Sequence, residues 1–166
     1  STAPLQALRY TADLVFLFND HAIERLLPRL TPKSQIIGEE GFLKDDLKAK
    51  YACTSINFMS IAKEAGNRLY FNTAMFGYIL GLLNGSVKFA HNAITKRFEK
   101  RGEAVVLGNI AAFDKGYQLG QDSSIKFDFK PNPNFAPMRT TTGNDVLSIG
   151  ALAGGANYLA AYPMSP

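Results

Sequence analysis

The sequence predicts an α/β fold: a small, mainly parallel sheet with a cluster of helices, then an extended linker and the opening of a second α/β domain. Three features point there. A short apolar run, 13–18, is followed at once by cap-forming residues and a helical pattern, and a second short strand pattern follows at 34–38. Residues 57–119 then carry four helical stripes in succession. At Gly120 the composition shifts, and three prolines fall among Asn, Ser and Thr before helical periodicity returns at 143.

Taken in order, Asp13 to Phe18 reads as a strand covered on both faces of a parallel sheet. Asn19 and Asp20 offer caps for a helix over 21–27 that presents Ile23, Leu26 and Leu27. Pro28 and Pro32 bracket its exit, and Ser34 to Gly38 is the next strand. Residues 39–50 form a charged surface stretch, and 51–55 is a weaker third strand. Asn57 caps a helix ending at Gly66, with Ile56 and Ile61 as a hydrophobic staple. Asn72 is expected to cap another, with Phe71 and Phe76 as the staple pair and Asn84-Gly85 as its stop. Met75, Tyr78, Ile79, Leu82 and Leu83 form its buried stripe. Ser86 caps the next helix, with Val87, Ala90, Ile94 and Phe98 inward. The helix from about 103 to 119 turns Val106, Ile110, Phe113 and Tyr117 to one side. Past the linker, a helix rich in small residues and a strand over 157–161 are too little to bury their own apolar faces. The expected divisions are 1–120, a linker at 121–142, and 143–166 as the truncated start of a second domain.

Composition narrows the function classes. With 46% hydrophobic and 19% charged residues the chain has the means to build a core. Its longest apolar runs, 14–18 and 78–83, fall far short of the roughly 20 residues that span a bilayer. The first residues lack a signal-peptide pattern, and the expectation is a cytoplasmic protein without a membrane segment. The single cysteine, Cys53, cannot hold an iron–sulfur cluster, which takes about four thiolates. It reads as a small buried residue with no nearby cation to stabilise a thiolate. A net charge of +4 permits nucleic-acid binding. The one tight basic group, Lys96, Arg97, Lys100 and Arg101, is interleaved with Glu99 and Glu103, which argues for a solvated helix face first and a docking surface for an acidic partner second. His21 and His91 have no nucleophile at a typical spacing. The pairs Glu39-Glu40 and Asp45-Asp46 read as solvated loop rather than an acid–base pair. Neither phosphate-binding glycine pattern is present. By themselves, the residues reveal no active site.

A resemblance adds more. The stretch 142–166, with Gly143-Asn144 opening a helix and Tyr162-Pro163-Met164-Ser165-Pro166 closing it, resembles the start of the alpha region of 2-oxoacid:ferredoxin oxidoreductases. That region opens with a Gly-Asn-x-Ala helix and continues to a Gly-Tyr-Pro-Ile-Thr-Pro turn. Residues 12–19 resemble the family's gamma-region strand, 67–77 its asparagine-led helix, and 108–117 its last helix. The order gamma, linker, alpha is that of fused gamma–alpha subunits.

The resemblance implies a gamma-type domain lacking its Gly-rich beginning, followed by the truncated start of a thiamine-diphosphate-binding domain. It also implies oxidative decarboxylation of a 2-oxoacid to acyl-CoA, with electrons passed to ferredoxin. Thiamine diphosphate with Mg, coenzyme A as co-substrate, and an iron–sulfur cluster on a partner beta subunit would complete a hetero-oligomer that binds no nucleic acid. This stretch alone would be inactive. Tyr162, Pro163 and Ser165 map onto the turn near the cofactor. Ser165 keeps the hydroxyl of the family's Thr but loses the methyl that restricts its rotamers. The competing reading is a non-catalytic α/β interaction module.

Overall fold

The computed structural model describes residues 10–125, 141–158 and 160, which fall into two units on either side of the linker. In the first unit, strands β1 (Ala12–Leu17), β2 (Leu30–Gly38) and β3 (Ala52–Ser55) form a parallel sheet in the order β1-β2-β3. Seven helices are described: α1 (Ala22–Leu26), α2 (Asp45–Lys48), α3 (Phe58–Glu64), α4 (Phe71–Leu82), α5 (Val87–Phe98), α6 (Glu103–Asp122) and, in the second unit, α7 (Gly143–Ala153). The α/β architecture is as expected.

Alternation along the central strand builds two cores, one on each face of the sheet. Ile36 and Ile37 are consecutive, point to opposite faces, and are both fully buried. Ile36 joins Val15, Leu17 and Ile23 of α1 on one side, and Ile37 joins Phe58, Met75 and Tyr78 on the other. Each such side chain contributes about 1.5–3 kcal/mol on burial. The first core is closed by the 39–50 stretch, where Leu43 and Leu47 are 2% and 3% exposed. That stretch is therefore a lid on the sheet, not a purely solvated surface.

The strand over 34–38 starts earlier than its hydrophobic pattern. Pairing with β1 jumps from Ala12↔Leu30 to Leu14↔Gln35, so residues between Leu30 and Gln35 bulge out of register. Pro32 is tolerated in this bulge because no ladder bond is required of it. Ser34, fully buried, holds the bulge by donating to the Ala12 carbonyl at 2.6 Å and accepting from the Thr31 amide at 2.8 Å.

Capping follows the sequence at α3 and α5, while at α1 the N-cap is His21, without a side-chain bond, and Asn19 holds the turn before it. Asn19 Oδ1 accepts from the Ala22 amide at 2.9 Å, Asn57 Oδ1 from Ser60 at 2.8 Å, and Ser86 Oγ from Phe89 at 3.3 Å. The expected cap at Asn72 is wrong. Asn67 caps a 3-10 turn over Arg68–Tyr70, accepting from the Leu69 amide, and that turn runs directly into α4. The staple of Phe71 with Phe76 fails with it: Phe71 packs on Phe18 and Phe58, and Phe76 packs on Phe113. The stop at Asn84-Gly85 is present. Asn84 itself takes the left-handed conformation, φ 53°, and the Gly85 amide donates back to Leu80.

Helices α4 and α6 pack main chain against main chain. Gly77 and Gly81 of α4 face Gly116 and Gly120 of α6, and a Cβ at any of the four would overlap a main-chain oxygen of the other helix. Backbone therefore meets backbone, as at small-xxx-small crossings. Around the crossing, Tyr78 is 1% exposed and donates to Ser123 Oγ at 3.1 Å. Buried Asn109 accepts from Thr73 at 2.6 Å and donates to the Val105 carbonyl at 2.8 Å. Helix α5 adds Ala90 and Ile94 against Phe113, with Val87 and Phe98 at the margin, as its stripe predicts. Helix α6 continues through Gln121 and Asp122, two residues into the expected linker.

In the second unit, Thr142 and Asp145 form a reciprocal capping box at the start of α7, and no residue of α7 is buried. Asn157, Tyr158 and Ala160 carry no strand pairing, so the strand expected over 157–161 is absent at its described positions. Leu159 and Ala161 lie outside the described residues. Among the described residues, no helix is long and apolar enough to cross a membrane.

Candidate functional site

In a parallel sheet, ligand sites gather at the carboxyl ends of the strands. Here that edge comprises Asn19 after β1, Glu39 after β2 and Asn57 after β3. All three are engaged in folding. Asn19 holds the turn into α1 by accepting from the Ala22 amide, Asn57 caps α3, and the Glu39 carboxylate accepts from the Met59 amide in the first turn of α3. The positive end of that helix is thus filled by an internal anion. Glu39 was expected in a solvated loop and instead ties β2 to α3; its neighbour Glu40 is exposed. Beside the edge, an open cleft of about 540 Å³ is lined by Asn19, His21, Ala22, Arg25 and Leu26.

The other polar candidates are dispersed. His21 is almost fully exposed, 3.5 Å from Asp20. His91 sits 2.6 Å from Asp114 and edge-on to Phe113, linking α5 to α6. Asp45 and Asp46 occupy the first turn of α2, where they favour the helix dipole. Cys53 is partly buried, and burial raises its thiol pKa more than nearby Lys48 lowers it. The expectation that no cation lies near Cys53 was incorrect, but the thiol is still held in its protonated form. Lys115 pairs with Glu64 on the surface and, with Ser60, holds the Glu64 carboxyl below its ordinary range. The basic group at 96–101 is exposed and makes no ion pair with Glu99 or Glu103 among the described residues.

No group of three or more His, Cys, Asp or Glu able to hold a metal ion occurs among the described residues. Tyr162, Pro163 and Ser165, assigned above to the cofactor turn, lie outside the described residues. Among the described residues, no nucleophile, base and orienting acid are brought together. What the arrangement defines is an α/β domain whose sheet edge and α4–α6 crossing are engaged in folding.

Residues 1–119 match the family model for pyruvate ferredoxin/flavodoxin oxidoreductase, and the chain belongs to that family. A solved 2-oxoglutarate:ferredoxin oxidoreductase from Magnetococcus marinus, with 2-oxoglutarate, coenzyme A and succinyl-CoA bound, is similar over 93% of this chain, with 25% identity and a TM-score of 0.79. This chain spans only 28% of that chain's length. The gamma subunit of a keto/oxoacid ferredoxin oxidoreductase from Geobacter sulfurreducens PCA shares the fold over 67% of this chain and 65% of its own, with 21% identity and a TM-score of 0.51. The comparison with curated proteins produced no match.

Proposed function

We propose that this chain serves in a 2-oxoacid:ferredoxin oxidoreductase, as the gamma domain, linker and opening of the alpha domain of a fused subunit. The observation that carries this reading is the difference in coverage between the two solved relatives. A separate gamma subunit accounts for 67% of the chain, whereas a chain of the 2-oxoglutarate enzyme accounts for 93%, more than residues 1–120 can supply alone. This coverage supports a counterpart, in an oxoacid enzyme, to the region past the linker.

In this role the reaction is oxidative decarboxylation of a 2-oxoacid to acyl-CoA, with electrons leaving to ferredoxin. When bound, thiamine diphosphate with Mg supplies the carbanion-stabilising chemistry. Tyr162, Pro163 and Ser165 are the residues proposed to lie against it, with the Ser165 hydroxyl available as donor or acceptor. In this reading an iron–sulfur cluster belongs to a beta subunit, since the one thiol of this sequence cannot hold it. The 10–125 region contributes the platform, with Asn19, Glu39, Asn57 and Ser34 spent on helix starts and the β2 bulge. The assembly is taken to be cytoplasmic, and this chain alone is expected to be inactive.

An anaerobic assay of the parent protein with its beta subunit, coenzyme A, a viologen acceptor and a panel of 2-oxoacids tests the reading. Acceptor reduction that requires both the oxoacid and coenzyme A is the expected result. No reduction with any oxoacid, together with no thiamine diphosphate binding by calorimetry, would favour the interaction-module reading instead.

A further inference from the structure

Away from the sheet edge, α6 and the ends of the elements before it enclose a cleft of about 330 Å³, near the lower bound for small-molecule sites. Leu69, Phe98 and Val105 supply its apolar wall, and Asn67, Tyr70, Arg101 and Asn109 its polar groups. The position of Tyr70 is built in. Its ring lies over Gly108, where a Cβ would come within 2.5 Å of Tyr70 Cε2, so a larger residue there would have to displace the ring.

The hydrogen-bonding state of the polar groups is one-sided. Asn67 Oδ1 is occupied by the Leu69 amide, and Asn109 Oδ1 by the Thr73 hydroxyl. Asn109 Nδ2 spends one N–H on the Val105 carbonyl and has a second. The Asn67 amide N–H groups, the Tyr70 hydroxyl and the Arg101 guanidinium have no partner among the described residues. Both amide oxygens are thus engaged while donors stay free, and none of the lining residues is an acid. Glu99 and Glu103 flank Arg101 in sequence, yet neither pairs with it.

A cleft with spare donors, one planar cation and an apolar wall suits a ligand with acceptor oxygens and an apolar body. We propose that it binds a small organic carboxylate, the carboxylate on Arg101 with Tyr70 and Asn67 donating beside it, and the apolar body against Phe98, Leu69 and Val105. Arg101 is the main source of affinity because a charge-assisted pair is roughly twice as strong as a neutral one. Residues 67–109 alone carry this site, so it stands or falls separately from the oxidoreductase reading.

Saturation-transfer NMR and calorimetry on the full chain, with benzoate as probe and benzamide as its neutral counterpart, test the site. Benzoate is expected to bind saturably, benzamide roughly tenfold more weakly, and Arg101→Gln to weaken benzoate by a similar factor. Lys96→Gln, which removes a nearby charge outside the cleft, leaves binding unchanged. Tyr70→Phe gives a smaller loss. Absence of saturable benzoate binding, equal binding of benzamide, or equal losses in the Arg101 and Lys96 variants would overturn the proposal.

Discussion

Two glycine-bearing helical regions of this chain meet opposite fates. In the α4–α6 pair, Gly77, Gly81, Gly116 and Gly120 are buried against main chain with no space for a methyl group. In α7, Gly143 and Gly150 have nothing within 4 Å of where a Cβ would stand, and Leu147, Ile149 and Leu152 are exposed. Small residues alone do not therefore signify a crossing. The crossing exists where two small-residue stripes of matching spacing are brought together, and the 77/81 and 116/120 pairs have the same four-residue interval.

The comparison breaks most sharply at Gly116. Gly116→Ala should improve intrinsic helix propensity by about 1 kcal/mol. It should nevertheless destabilise the first unit, because its methyl overlaps the Ala74 carbonyl oxygen. A net loss of about 2–3 kcal/mol in urea unfolding is expected, and more for Gly116→Val. Gly150→Ala in α7 is the matched control, where only the propensity gain of about 0.5–1 kcal/mol remains. If Gly116→Ala is neutral, the helices do not cross as closely as described.

The polar bond beside the crossing gives the next effect. Asn109→Ala leaves the Thr73 hydroxyl without its acceptor and should cost about 1–3 kcal/mol. A double-mutant cycle with Thr73→Val should recover part of that loss, since removing both partners leaves no unpaired group. Additive losses would mean that the two side chains act independently. At the sheet edge, Asn57→Ala should cost about 1 kcal/mol by exposing the Ser60 amide at the start of α3. Hydrogen exchange confined to the first turn of α3 distinguishes this from global loosening.

These contrasts also mark what is legible in a sequence. Apolar stripes were readable: Val106 and Phe113 of α6, and Ala90 and Ile94 of α5, are buried as their spacing requires. The glycines were not, because a periodicity reading weighs apolar bulk and treats Gly in a helix as a weakness. Their signal was the paired four-residue interval. Asn72 misled because capping residues look alike in sequence; only the 3-10 turn at 68–70 makes Asn67 the cap. Glu39 was hidden for a different reason: its partner, Met59, lies twenty residues away and is joined to it only by the β2–β3 pairing. Tyr162, Pro163 and Ser165 are proposed from the family resemblance alone, while the donor-rich cleft at 67–109 depends on which oxygens are already occupied, and that is a property of the folded chain.

The smallest effect concerns α7, which has no burial to stabilise it and so leans on its ends. The Asp145 carboxylate accepts from the Thr142 amide at 3.0 Å and from its hydroxyl at 2.8 Å, while Thr142 Oγ1 accepts from the Asp145 amide. The backbone bond first, and the side-chain bond second, hold the Asp145 carboxyl below its ordinary range. A carboxyl depressed by folding stabilises the helix above its unfolded-state pKa, and the contribution disappears as pH falls through the lower, folded-state value. Helicity of α7, followed by backbone NMR shifts, should therefore fall on acidification at the bottom of the carboxylate range. Asp145→Asn should flatten the α7 profile and leave the rest of the chain as it was. A pH response of α7 that survives this substitution would show that the box does not hold the helix.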